Sequence, residues 1–183
     1  VTRHYWVSPL SSFPASLQEQ FCSTSMEFHQ GGDFLYCLGG YGYSPTKGDH
    51  TTYSNLTAIK VSAVIDAIIS NNSFLPYFRQ ITDTKFQVTG GRLKKINSEY
   101  YLMGGQKFIG RYNPMGPNHG PGFVQEYTNS IRKFSILDNG SSITIKHITS
   151  YADSINLHRR DYNAEPQILP NGEEGITMFS GVF

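Results

Sequence analysis

An internal repeat constrains this chain more than any other feature. Phe34-Leu-Tyr-Cys-Leu-Gly39-Gly40 is an apolar run closed by a double glycine, and Tyr100-Tyr-Leu-Met-Gly104-Gly105 restates it 65 residues later. Ile176-Thr-Met-Phe-Ser180-Gly181 gives a degenerate third copy, with Ser in place of the first glycine. After each complete double glycine, a connecting segment leads to a second matched run. Residues 53–61 and 127–136 both open with Tyr-(Ser/Thr)-Asn, at Tyr53 and Asn55 and at Tyr127 and Asn129. Both then alternate apolar and polar residues, the period of a strand with one buried face. Self-similarity at a long interval marks an architecture of repeated supersecondary units.

The remaining strands follow from turn signals and periodicity. A first strand is expected at 20–29 in the first unit, with a turn at 30–33, at 86–93 in the second and at 161–168 in the third. Val61, Val64, Ile65, Ile68 and Ile69 recur at helical spacing, so 62–70 is expected to be a short amphipathic helix. An outer strand should then cover 75–82, where Pro76 fits an edge. In the second unit Asp138-Asn139-Gly140 is a strong hairpin signal, and 142–149 should be the outer strand. Tyr5, Trp6 and Val7 read as the outer strand of a preceding unit. The segments 41–52 and 106–126, between second and third strands, are expected to be long loops.

Four antiparallel strands per unit, a double glycine after the second and an aromatic-led third strand together resemble the kelch motif. The resemblance covers residues 21–183, although the Trp usual in kelch outer strands is missing. It implies an all-β, kelch-like β-propeller of four-stranded antiparallel blades, with about two and a half blades here. Residues 1–19 would end a preceding blade, 20–83 and 84–152 would each be a blade, and 153–183 would start the next. An unrelated antiparallel sandwich with coincidental Gly-Gly turns is the alternative. Propellers close on 4–8 blades, so the chain is expected to be a piece of a longer protein that supplies further blades. The strands and loops also resemble Bacteroidetes surface proteins exported by type IX secretion, which implies a secreted or cell-surface location. Asp153-Ser154-Ile155 matches the short pattern that such bacteria O-glycosylate, which makes Ser154 a candidate modification site.

Composition narrows the function. Charged residues are 16% and the net charge is +1, which argues against nucleic acid as a partner. No apolar run is long enough for a membrane-spanning helix. Cys22 and Cys37 lie in segments read as neighbouring strands, so both a bridge and two free thiols remain open. The six His residues show no metal-ligand spacing, so neither a metal nor another cofactor is expected. There is no Gly-x-Ser-x-Gly elbow. The glycine pairs lead to strands rather than to a helix, which argues against a phosphate loop.

Binding to a protein or glycan partner is therefore the expected function, and two surfaces qualify. The first is the loop face, with Tyr43, His50, Tyr112, Asn118 and His119, whose aromatic and amide groups suit sugars or protein. The second is the channel lining, with Arg92, Arg159, Arg160 and Asp161. A carbohydrate-active hydrolase or lyase with its site at the channel mouth is an alternative. A structural propeller domain in a large secreted cargo protein is another.

Overall fold

The computed structural model describes residues 4–114 and 122–183. Six strands form in the first unit: β1 (Glu27–Gly31), β2 (Phe34–Leu38), β3 (Tyr41–Ser44), β4 (Asp49–Thr52), β5 (Asn55–Lys60) and β6 (Phe78–Thr82). The second unit repeats the series as β7 (Arg92–Ile96), β8 (Glu99–Met103), β9 (Gln106–Ile109), β10 (Val124–Tyr127), β11 (Ser130–Asp138) and β12 (Ile143–Ala152). A final hairpin joins β13 (Asn163–Ile168) to β14 (Glu174–Phe179). Two four-stranded antiparallel sheets result, ordered β1-β2-β5-β6 and β12-β11-β8-β7. The protein is all-β, and no described sheet closes on itself.

Period-2 alternation decides how the sheets pack. Tyr36, Leu38, Leu56 and Ala58 leave the first sheet on one face and meet Leu93, Tyr100, Leu102 and Phe134 of the second. Phe86 and Val88 fill the space between them. The opposite face of the second sheet carries Tyr101, Met103 and Ile131, which pack on Ala164, Ile176 and Met178 of the final hairpin. The second sheet is thus apolar on both faces. Each fully buried Leu or Phe in such a stack contributes roughly 1.5–3 kcal/mol. One buried ion pair, Arg79–Asp138 at 2.5 Å, ties β6 of the first sheet to the end of β11 in the second.

At one end of this stack the chain reverses at the double glycines. Gly39 has φ +66°, and a Cβ there would lie 2.0 Å from the Val88 carbonyl oxygen. Only glycine allows both that backbone conformation and that approach. The close contact carries a hydrogen bond between units: the Gly40 N–H donates to Val88 O at 3.0 Å, and the Gly105 N–H donates to Arg159 O at 2.8 Å. A second series runs beside it. The Gly90 N–H donates to Ser25 O at 3.2 Å, and the Asp161 N–H donates to Gly90 O at 2.8 Å. Ser25, Gly90 and Asp161 are corresponding residues of the three units, and all three have positive φ.

Several expectations need correction. The segments read as loops, 41–52 and 106–126, contain β3, β4, β9 and β10. These four strands pair into a third antiparallel sheet, ordered β10-β9-β4-β3. The first half of 20–29 is not strand: helix α1 (Ala15–Phe21) ends there. It starts after Pro14, whose fixed φ suits a helix entrance, and it buries Leu17 and Gln20. In the second unit the strand begins only at Arg92, because Gly90 at φ +70° interrupts extended backbone; residues 84–86 form a 3-10 turn. Helix α2 (Val61–Ile69) matches its expectation within a residue, whereas Pro76 lies in a 3-10 turn before β6 rather than in the strand. Tyr5, Trp6 and Val7 are exposed and form no strand. Cys22 and Cys37 are both free thiols, so no bridge joins them.

The Tyr-x-Asn alignment is out of register by one. The Gly39 N–H donates to Asn55 O, and in the second unit the Gly104 N–H donates to Ser130 O. Asn55 therefore corresponds to Ser130, and Tyr53 to Thr128. Tyr53 and Tyr127 take different roles. The Tyr53 hydroxyl donates to Tyr43 O at 2.9 Å, whereas the Tyr127 hydroxyl accepts from Arg160 Nε at 3.1 Å.

Candidate functional site

The third sheet leans over the end of the stack where the three units meet, and a cleft of about 290 Å³ lies between them. Its base is made by corresponding residues of successive units: Thr24 and Ser25, Thr89 and Gly90, and Arg160 and Asp161. Its wall is made by Tyr41, Gln106, Phe108, Tyr112 and Gln125. Each base pair is held by backbone bridges to the residues that follow the double glycines: Thr24 to Tyr41, Thr89 to Gln106 and Arg160 to Val182. The repeat geometry that closes the core therefore also builds the base of the cleft.

Arg160 and Asp161 form an ion pair on this base. The Asp161 backbone is fixed through its N–H bond to Gly90, and Arg160 is fixed by the Tyr127 hydroxyl. Tyr127 in turn stacks on the His158 ring at a centroid distance of 3.8 Å. His158 Nδ1 lies 3.0 Å from Asn129 Oδ1. Asn129 occupies a positive-φ turn (+49°), a conformation that Asn tolerates better than most residues. The guanidinium is thus positioned by a relay of three side chains, Tyr127, His158 and Asn129.

The wall combines aromatic and amide groups. The Tyr41 hydroxyl donates to Gly110 O at 2.6 Å, which ties β3 to the end of β9. Gln125 Nε2 donates to Gln106 Oε1 at 2.5 Å. Phe108 is buried and stacks on Phe123 at 4.9 Å, and Tyr112 leans against both rings. The outer side of Tyr112 stays open, with 62% of the residue exposed.

The cleft thus draws on both surfaces singled out in the sequence. Tyr112 comes from the first, and Arg160 and Asp161 come from the second. The other residues take different places. Tyr43 and His50 face each other across the β3–β4 hairpin at 5.4 Å between ring centroids, away from the cleft. Asn118 and His119 lie outside the described residues. Arg92 sits over the Tyr162 ring at 5.6 Å and donates to Gly91 O. Arg159 sits over the Phe183 ring at 4.8 Å and donates to Met178 O. Arg92 therefore bridges the second and third units and Arg159 braces the third unit internally; neither lines the cleft. Ser154 lies in an exposed turn in which Asp153 Oδ1 accepts the N–H groups of Ile155 and Asn156.

The residues that sequence reasoning missed are Thr24, Ser25, Thr89 and Gly90 of the base, and Tyr41, Phe108 and the two amides of the wall. A signal for four of them was present. Thr24-Ser25 and Thr89-Gly90 stand 65 residues apart, the same interval that separates the double glycines. Among the described residues, no group of three or more His, Cys, Asp or Glu side chains gathers as a metal site. Among them, no helix is long and apolar enough to cross a membrane. No protein-family model matches the chain, and no curated protein matches it.

Proposed function

We propose that the chain is a segment of a kelch-like β-propeller that works outside the cytoplasm as a binding module, with its ligand in the cleft at the inner ends of the units. The observation that carries this reading is convergence. Residues from three successive units and from the third sheet enclose one polar cavity that has an exposed aromatic wall. Rigid repeats that present variable segments around a shared concavity are a common way to build a binding surface. Two features support the propeller part: four-stranded sheets stacked face to face, and hydrogen bonds that recur between corresponding inner residues. The low charged fraction and the Tyr- and Gly-rich strands support a location outside the cytoplasm.

Binding fits the cleft better than hydrolysis. Asp161 is the sole carboxylate among its described lining residues, whereas most glycosidases use two carboxyl groups about 5–10 Å apart. The test is a ligand screen followed by NMR, using extracellular glycans and peptides on uniformly labelled protein. A true ligand should shift the resonances of Tyr112, Gln125, Thr89 and Asp161 together. Ligands whose shifts map only elsewhere would overturn the assignment of the cleft.

A further inference from the structure

We infer that the cleft takes a neutral saccharide, one or two pyranose rings in size; this rests on the cleft being the binding site. Charge is the first argument. Arg160 and Asp161 are the only charged residues among the described lining, and they neutralise each other. The site therefore offers no net attraction to a phosphate, a uronate or an ammonium group. A bound anion would have to compete with Asp161 for the guanidinium.

Hydrogen-bonding chemistry is the second argument. The lining presents hydroxyls (Thr24, Ser25, Thr89), carboxamides (Gln106, Gln125) and a paired carboxylate. Hydroxyls and carboxamides both donate and accept; the Thr24 and Thr89 hydroxyls donate to Tyr41 O and Ser25 O and keep acceptor lone pairs for a ligand. That mixture matches sugar hydroxyls, each of which is also both donor and acceptor. A carboxylate oxygen beside a guanidinium can accept from one sugar hydroxyl while the guanidinium donates to its neighbour, so Arg160 and Asp161 suit a vicinal diol.

Shape is the third argument. A volume of about 290 Å³ lies at the small end of ligand sites, which run from about 300 to 1,000 Å³. Tyr112 offers an open ring face supported from behind by Phe108 and Phe123. Such a face packs well on the C–H side of a pyranose and buries apolar area without a charge requirement. Gly90 contributes by what it lacks. A Cβ there would lie 2.7 Å from Asp161 Oδ1, so glycine keeps the carboxylate accessible.

The test titrates the full chain with cellobiose, mannobiose, galactobiose, xylobiose and, as the acidic control, digalacturonate, followed by NMR and calorimetry. At least one neutral disaccharide should shift Tyr112, Thr89 and Asp161, with an affinity little changed by added salt. Tyr112→Ala, at an exposed position outside the core shared by the two large sheets, should weaken that affinity by about tenfold, the loss of one good stacking contact. Gly90→Ala should weaken it as well. Binding of digalacturonate alone at these residues, abolished by salt, would overturn the neutral class while leaving the cleft as the site. If no disaccharide shifts these residues, the saccharide assignment falls. A peptide that shifts them in the broader screen would then keep the cleft as the site.

Discussion

Glu27 sits at the first position of β1, is almost wholly buried, and faces the second unit. Its Oε1 accepts the Gly91 N–H at 2.6 Å, and its Oε2 has no partner among the described residues. Burial pushes the carboxyl up to about 8 from its ordinary 4.5. The Gly91 N–H and Arg92 oppose that rise, and Asp161 adds to it; Tyr162, on the third unit, also faces the group. The folded chain therefore keeps a proton that the unfolded chain loses, and stability falls as pH rises from about 4.5 to about 8. Glu27→Gln removes this dependence. The variant should melt at a higher temperature than the parent at pH 8, and the two should converge near pH 4.5. A melting difference that stays constant over this range would show that Glu27 is ionised throughout. Gly39 allows a simpler prediction. Gly39→Ala places a Cβ 2.0 Å from Val88 O at a positive φ, so the urea midpoint should drop by the equivalent of at least about 1–3 kcal/mol.

Elements whose apolar residues keep a period could be read from the sequence; the third sheet could not. β5 and β11 alternate apolar and polar residues, β2 and β8 are nearly unbroken apolar runs closed by double glycines, and α2 shows a helical apolar stripe, each pattern set by packing against a core. Tyr-Gly-Tyr-Ser in β3 and Asp-His-Thr-Thr in β4 show no such pattern. The two hairpins of their sheet meet through a single backbone bridge, Thr51 to Ile109, and through the edge-on contact of Tyr41 with Phe108 at 5.2 Å. Tyr41 adds its hydroxyl bond to Gly110 O, and Thr52 adds two more bonds. The Thr52 hydroxyl accepts from the Phe108 N–H at 2.8 Å and donates to Phe108 O at 2.9 Å. No local sequence signal announces a partner 56 residues away. For the same reason Tyr112, Arg160 and Asp161 could be named as candidates, but nothing in the chain order showed that they share one cavity. Thr52→Val conserves shape and strands a buried N–H, which should cost about 1–3 kcal/mol. Faster amide exchange should appear first at Phe108, ahead of any change in β2 or β8. Uniform loss of protection across all sheets would instead mean that the third sheet is integral to the global fold.

At the scale of the molecule, the two large sheets share one core. Leu38 and Leu56 meet Leu93, Leu102 and Phe134 without a polar layer between them. Phe134 is fully buried and contacts Phe86 and Tyr100 through ring pairs at 5.3 and 5.9 Å. Phe134→Ala should cost about 3–5 kcal/mol. Because the core is common, protection of the Leu56 and Leu102 amides should fall together; a fall in the second sheet alone would show that the units unfold independently.

The cleft divides its labour between two kinds of structure. Its base is repeated backbone, fixed by hydrogen bonds that every unit must satisfy, and its wall consists of side chains on hairpins that span the units. Such a site can be retooled piecemeal. Exchanging the hairpin tip that carries Tyr112 would alter what is recognised while the register of the repeats stayed intact, so one scaffold of this kind can diversify its preferences without first becoming unstable.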